Sequence, residues 1–159
     1  MTAPIVGVDV GGTTTRAVRF DGDLVAAAAV AAPTPRGATA IVEQVARLVG
    51  DVVGDRAGES DGDHVGDGDG ESDGDGAPSA VAVGMPGRVD HGRGVVSSAV
   101  NLGIEGPVDM AALLAAAVGA PVHLENDVNA AALGAFANPG LSPAQSLAYV
   151  NVGTGITPS

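Results

Sequence analysis

The sequence predicts an α/β fold that opens with antiparallel strands. Near the N-terminus, β-branched and alternating segments follow one another with only short glycine- or aspartate-rich turns between them, which is typical of hairpins. Further along, segments with helical spacing of apolar residues alternate with short apolar runs. Because a doubly wound nucleotide-binding fold begins with parallel strands joined by helices, the antiparallel opening argues against that fold.

The predicted order is three strands, then a helix, a strand, a helix, a strand, a helix and a strand. The strands are residues 5–10, 14–20, 24–30, 80–85, 121–125 and 146–152. The helices are residues 38–49, 109–118 and a third that starts at Asn126 or Asp127 and ends near Phe136. The alanine run in the third strand suits a helix equally well, and Gly119 is expected to end the second helix.

The charge and residue usage restrict the partners. The formal net charge is -12, and all seven basic residues are arginine. Nucleic acids and anionic membranes are not expected as partners, because binding them needs clustered cations. A lysine-free acidic composition favours a protein of a salt-accumulating microbe, such as a halophilic archaeon, over the alternative of a GC-rich genome. A cytoplasmic location is expected, since we find no targeting segment and no apolar run of membrane-spanning length.

Residues 59–76 differ from the rest of the chain. They read ESDGDHVGDGDGESDGDG and contain eight of the nineteen acidic residues. Such a segment has almost no apolar surface to bury, so we predict a disordered insert between the first helix and the fourth strand.

The turn after the first strand is the first candidate for chemistry. In Asp9-Val10-Gly11-Gly12-Thr13-Thr14 the glycines allow backbone N–H groups to approach a phosphate closely, and Asp9 is suited to hold Mg²⁺ directly or through water. The alternative is an ordinary hairpin turn. The absence of lysine excludes both a Walker P-loop and the strand lysine of protein kinases, so phosphate binding would depend on backbone amides, hydroxyls and metal.

A second cluster, Glu125-Asn126-Asp127-Val128-Asn129, lies where a strand is predicted to meet a helix. Asn126 can donate and accept hydrogen bonds to a pair of hydroxyls, and Asp127 can accept the proton of an attacking hydroxyl. The alternative is helix capping, which is compatible with such a function. The three histidines do not have metal-ligand spacing, and no role is assigned to them.

Five motifs in this order resemble the ROK family (repressor, open reading frame, kinase), which includes glucokinases, fructokinases and N-acetylhexosamine kinases. They are Asp9-x-Gly11-Gly12-Thr13, Met85-Pro86-Gly87, Asn101-Leu102, Glu125-Asn126-Asp127-x-Asn129-Ala130-Ala131 and Val152-Gly153-Thr154-Gly155-Ile156. The resemblance spans the chain except the acidic insert. It implies the actin-like ATPase or ribonuclease-H-like fold, and phosphorylation of a hexose, glucose by family frequency, with ATP and Mg²⁺.

The resemblance also implies the site residues. Asp127 would be the general base, Asn101, Asn126 and Asp127 would contact the sugar, and Asp9 would hold Mg²⁺. The residues that would line the ATP phosphates are Asp9, Gly11, Gly12, Thr13, Gly153, Thr154 and Gly155.

The end of the sequence departs from the family pattern. The family continues with further glycines and a later zinc motif of histidine and cysteine, whereas this sequence ends Gly155-Ile156-Thr157-Pro158-Ser159. We therefore expect residues 1–106 to form an N-terminal lobe with the first phosphate hairpin, and residues 107–159 to be the truncated start of an incomplete second lobe. The chain alone is expected to lack kinase activity and, through an exposed strand edge, to associate as a homo-oligomer.

Three alternatives share part of the pattern. An inactive truncated remnant would share every motif. A sugar-responsive ROK regulator would carry a DNA-binding segment before the first strand, for which the expected start at Ile5 leaves no room. A chaperone-type or actin-like ATPase would share the glycine turn but not the Asn126-Asp127 pair.

Overall fold

The computed structural model describes residues 3–22, 25–54 and 77–137. Its elements in chain order are β1 Ile5–Val10, β2 Thr14–Asp21, β3 Val25–Pro33, α1 Ala38–Gly54, β4 Ala80–Met85, β5 Arg88–Asp90, β6 Val95–Ser98, β7 Val108–Asp109, α2 Met110–Val118, β8 Val122–Asn126 and α3 Asp127–Ala137. The predicted insert at 59–76 and the predicted strand at 146–152 lie outside the described residues.

A five-stranded sheet in the order β3-β2-β1-β4-β8 forms the centre of the fold. β1 pairs with β2, and β2 with β3, in antiparallel register, as the short turns predict. β4 runs parallel to β1, and β8 runs parallel to β4. The carboxyl ends of β1, β4 and β8 therefore lie along one edge of the sheet.

The alanine run near the N-terminus forms a strand and not a helix. β3 pairs with β2 along its length, with an irregularity between Arg19 and Phe20. Alanine favours helix in isolation, but pairing with β2 satisfies the backbone hydrogen bonds of this segment, so tertiary context outweighs the local propensity. The strand ends at Pro33, three residues later than predicted.

Alternation along the strands separates a buried face of the sheet from an open one. Val6, Val8 and Val10 of β1 are at most 4% exposed and pack in the same cluster as the apolar side chains of α1 and α2. Asp9, between them in the chain, is exposed on the opposite face. α1 and α2 thus cover one face, and Asp9 lies on the other.

The two ends of α2 follow capping rules. Asp109 precedes α2 as its N-cap, and its Oδ1 accepts the N–H of Ala112 at 3.3 Å. Gly119 ends α2 with a φ of 68°, as predicted. α1 continues to Gly54, five residues further than predicted.

Within the described ranges, no helix has the length and apolar character that a membrane crossing requires.

A second sheet, in the order β5-β6-β7, was not predicted from the sequence. Its strands have three, four and two residues, too few for an alternating pattern to be recognised. A 3₁₀ turn at Val100–Leu102 follows β6. The small sheet packs closely on the start of α2, because the N–H of Ala111 donates to Gly94 O at 3.0 Å and a Cβ on Gly94 would overlap the side chain of Ala111.

The boundary expected at residue 106 does not separate two packing units. β8 pairs with β4 inside the central sheet. Met110, Leu114 and Leu124 belong to the same buried cluster as the side chains of β1 and α1. α2 and β8 therefore pack with the central sheet of the first lobe.

Candidate functional site

A cleft of about 1700 Å³ opens along the edge of the sheet where β1, β4 and β8 end, and it extends over the open face. In α/β sheets, ligands commonly bind outside the carboxyl ends of parallel strands. Each of these three strands is followed by one of the motifs: the glycine turn (residues 11–14), the loop at 86–87 and the start of α3. The predicted site residues that line the cleft are Asp9, Gly11, Gly12, Thr13, Asn101 and Asp127.

The glycine turn is tightly packed at its first residue and open at its second. The N–H of Gly11 donates to Thr14 O at 2.9 Å. A Cβ on Gly11 would lie 2.8 Å from that same oxygen, whereas a Cβ on Gly12 would have no heavy atom within 4 Å. Gly12 therefore leaves room for a group in the cleft to approach the backbone, as a phosphate would.

Thr34, directly after β3, also holds the glycine turn. Its Oγ1 donates to Gly11 O at 2.8 Å, and its N–H donates to Thr13 O at 2.9 Å. From the sequence, Pro33-Thr34-Pro35 predicts only a break in the chain. The sequence does carry one signal for this role: Pro35 restricts the backbone of Thr34 to an extended conformation, and the side chain of Thr34 is a hydrogen-bonding hydroxyl.

Asp9 lies opposite Arg16 on β2 and Gly84 on β4. Although water reaches the carboxyl group, the protein atoms packed around it partly desolvate it and raise its pKa above the ordinary value. The negative charge of Asp127 raises the pKa further, and Arg16 acts in the opposite direction. Two carboxylates that repel each other across a cleft favour the binding of a cation between them.

The start of α3 is capped by Asn126. Its Oδ1 accepts the N–H groups of Val128 at 3.0 Å and Asn129 at 3.3 Å, while its Nδ2 donates to Gly87 O at 3.1 Å. The capping interpretation is therefore correct, and the second N–H of Nδ2 is left for a ligand. Asp127, half-buried, accepts the N–H of Val128 on Oδ1 at 2.9 Å, which leaves Oδ2 for another partner.

Glu125 braces this strand–helix junction, a role that was not predicted. Its Oε1 accepts the backbone N–H of Asn126 at 2.8 Å and the side-chain amide of Asn129 at 3.1 Å. These hydrogen bonds hold the pKa of Glu125 below its ordinary value, and His91 adds to the effect. His91 Nδ1 lies 3.7 Å from Glu125 Oε2. The contact arises from the unpredicted small sheet, whose β5–β6 turn carries His91.

Asn101 is exposed in the 3₁₀ turn, whose position is fixed by backbone contacts. Leu102 N donates to Ala99 O at 2.8 Å, and Gly37 N donates to Leu102 O at 2.7 Å. A smaller pocket of about 430 Å³ lies between Asn101 and the loop at Gly87. Asn101 therefore borders both the cleft and the loop whose carbonyl receives the side chain of Asn126.

The predicted site residues thus divide into two groups. Six line one cleft, and Asn126 lies beside it at the start of α3. Gly153, Thr154 and Gly155 lie outside the described residues.

Three solved structures of bacterial sugar kinases are similar to this chain. An inorganic polyphosphate/ATP-glucomannokinase from Arthrobacter sp. strain KM is 29% identical, with a TM-score of 0.67 over 91% of this chain and 52% of its own. A ROK hexokinase from Thermus thermophilus is 32% identical, with a TM-score of 0.62 over 84% of this chain and 38% of its own. A ROK family glucokinase from Streptomyces griseus, in complex with glucose and AMPPNP, is 28% identical, with a TM-score of 0.65 over 84% of this chain and 36% of its own.

The chain therefore spans about half, or less, of the length of these relatives. The structural match confirms the α/β fold of the actin-like kinase type. A comparison with curated proteins found no match. The profile of the ROK family, in contrast, matches residues 71–157, more than half of the sequence. On that match, the chain belongs to the ROK family.

Proposed function

We propose that this chain provides part of the active site of an ATP-dependent kinase that phosphorylates a hexose, with glucose as the first candidate. The observation that carries the proposal is that the glycine turn and Asp127 line the same cleft. Phosphoryl transfer needs donors around the phosphates and a group that orients the attacking hydroxyl, held together in one geometry.

In the proposed reaction Asp127 is the general base. It accepts the proton of the sugar hydroxyl while that oxygen bonds to the γ-phosphorus and the bond from phosphorus to the ADP oxygen breaks. The hydrogen bond from Val128 N–H to Oδ1 orients the carboxylate and leaves Oδ2 for the hydroxyl. A base held in this way typically contributes about 10²- to 10⁴-fold to the rate.

The proposed sugar site lies between Asn101 and the start of α3. The acceptor oxygen of Asn126 is already engaged by two helix N–H groups, so this residue would contact the sugar by donating its second amide hydrogen. Asn101 is exposed, and it can both donate to and accept from sugar hydroxyls. The loop carbonyl of Gly87 would position the sugar indirectly, through Asn126.

The proposed phosphate site is the glycine turn, with Gly153, Thr154 and Gly155 contributing from the second motif. Mg²⁺ usually takes one or two carboxylates together with phosphate oxygens and waters. Asp9, with Asp127 near it, fits that requirement, because a bound cation would relieve the repulsion that raises the pKa of Asp9. The described residues contain no group of three or more possible ligands, so phosphate and water would have to complete the coordination. Bound there, Mg²⁺ would neutralise charge on the phosphates.

The relatives support a hexose and ATP as substrates. The Streptomyces griseus enzyme was solved with glucose and AMPPNP. The Arthrobacter enzyme is described as using inorganic polyphosphate as well as ATP. For this chain we favour ATP over polyphosphate, because a lysine-free protein with a net charge of -12 is poorly suited to hold a long polyanion.

The test is a coupled phosphorylation assay on the product of the native gene, with Mg·ATP and a panel of hexoses. We expect turnover with glucose. Gly12→Ala should raise the KM for ATP without lowering the melting temperature, because the new methyl group meets no protein atom but occupies the space offered to the phosphate. Failure to phosphorylate any hexose, or an unchanged KM for ATP in Gly12→Ala, would contradict the proposal.

A further inference from the structure

Two carbonyls of the glycine turn, those of Gly11 and Thr13, accept hydrogen bonds from Thr34, the residue directly after β3. Thr34 binds Gly11 O through its hydroxyl, at 2.8 Å, and Thr13 O through its backbone N–H, at 2.9 Å. Thr34 is 23 residues from Gly11 in the chain. The contact therefore depends on the pairing of β2 with β3, which brings the residue after β3 beside the turn.

These contacts fix the direction of two backbone donors. In a trans peptide the C=O and the following N–H point in opposite directions, and the part of the chain that the structure describes contains no cis peptide bond. When Gly11 O and Thr13 O point at Thr34, the N–H groups of Gly12 and Thr14 point away from it. Gly12 lines the cleft and has open space beside it. Thr34 thus holds the N–H of Gly12 on the side of the turn away from itself.

The single hydrogen of the Thr34 hydroxyl is already used. A hydroxyl has one hydrogen, and that hydrogen goes to Gly11 O. Thr15 Oγ1, 2.9 Å from Thr34 Oγ1, must therefore be the donor in their contact. Thr15 is completely buried, so its hydroxyl depends on Thr34 for a partner. One side chain consequently serves both a buried hydrogen bond and the conformation of the turn, and the two effects need separate tests.

We propose that Thr34 is a positioning residue that holds the glycine turn in the conformation that binds the phosphates of the nucleotide. Thr34 itself does not touch the ligand. The identity of that ligand rests on the proposed function, whereas the effect of Thr34 on the conformation of the turn rests only on its hydrogen bonds.

Four variants separate positioning from simple stability. Thr34→Val keeps the shape and the backbone N–H but removes the hydroxyl, so it frees Gly11 O and also leaves the Thr15 hydroxyl unpaired. Thr34→Ser keeps the hydroxyl. Thr15→Val is the matched control, because it removes the buried contact and leaves the bond to Gly11 O intact. The double variant Thr15→Val/Thr34→Val removes both hydroxyls of the buried contact, so no buried hydroxyl is left unpaired and much of the stability should return. The hydrogen bond to Gly11 O is still missing in this variant.

Calorimetric titration of each variant of the product of the native gene with Mg·ATP gives the first readout. Loss of the bond to Gly11 O should weaken ATP binding by about tenfold in Thr34→Val and equally in the double variant. Thr15→Val and Thr34→Ser should bind ATP as the wild type does. If affinity instead follows the melting temperature across the series, with the double variant recovering both, Thr34 is only structural and the proposal is wrong.

Amide hydrogen exchange at Gly11, whose N–H is bonded inside the turn, gives a readout that needs no ligand. Exchange should be faster in Thr34→Val and in the double variant, and unchanged in Thr15→Val. Unchanged exchange in all variants would show that Thr34 does not hold the turn. If the wild type does not bind ATP, the proposed function and the phosphate part of this proposal both fail, while exchange still decides whether Thr34 holds the turn.

Discussion

Replacing Gly87 with alanine should disrupt the loop after β4 and, through it, the start of α3. Gly87 has a φ of 109°, and a Cβ there would overlap Ser98 O and lie 2.8 Å from the Cβ of Ala99. An unfavourable φ costs about 1–3 kcal/mol and overpacking about 1–3 kcal/mol, so the variant should lose about 2–6 kcal/mol of unfolding free energy. Because Gly87 O accepts the side-chain amide of Asn126, displacing the loop should also weaken hexose binding.

Gly119→Ala is the matched control for this prediction. Gly119 also has a positive φ, 68°, but a Cβ there would meet no atom within 4 Å. Only the backbone strain remains, about 1–2 kcal/mol, and hexose affinity should not change. Urea unfolding followed by circular dichroism gives both free energies, and calorimetry gives the affinities. Equal losses of stability in the two variants would refute the reasoning that the crowded loop at Gly87 supports the site.

Three further predictions concern charge. Asp9→Asn should raise the melting temperature at neutral pH, because burial and the charge of Asp127 disfavour the ionised carboxylate of Asp9. This destabilisation exists only above the raised pKa of Asp9, so the increase in melting temperature should shrink as the pH falls through that pKa. An unchanged melting temperature at neutral pH would contradict this prediction. Glu125→Gln should lower the melting temperature at neutral pH, since folding lowers the pKa of Glu125. The stabilisation from the ionised carboxylate is present above the ordinary pKa of 4.5 and is lost as the pH falls through the lowered pKa. Equal melting curves of the variant and the wild type at pH 7 would contradict this prediction. Raising KCl from low to molar concentration should stabilise the chain by screening its net charge of -12, and a flat or falling melting temperature would argue against a halophilic origin.

The sequence was sufficient for elements with a strong local signal. β1 and β4 have the predicted bounds because each is a short apolar run ended by glycine or proline. The end of α2 at Gly119 follows from the conformational freedom of glycine. The cleft was predictable in part, since its motifs immediately follow three strands whose carboxyl ends share an edge.

The parts that were missed depend on contacts between distant segments. The three strands of the small sheet are too short to carry a pattern, and they are stable only through pairing and packing on α2. The contact of His91 with Glu125 and the bonds from Thr34 to the glycine turn exist only once those elements are assembled. The packing of α2 and β8 with the N-terminal strands was missed for the same reason, because the pairing of β8 with β4 leaves no mark in the sequence between them.

The most direct test of the account is the kinetics of Asp127→Asn in the product of the native gene. The carboxylate is half-buried at the start of α3, and asparagine keeps the oxygen that accepts the N–H of Val128. Glucose affinity should therefore stay close to that of the wild type, measured by calorimetry, while the turnover of glucose with Mg·ATP falls by about 10²- to 10⁴-fold. A loss of less than about tenfold in turnover, below the range expected for a positioned base, would contradict the assignment of Asp127 and the proposed reaction centre.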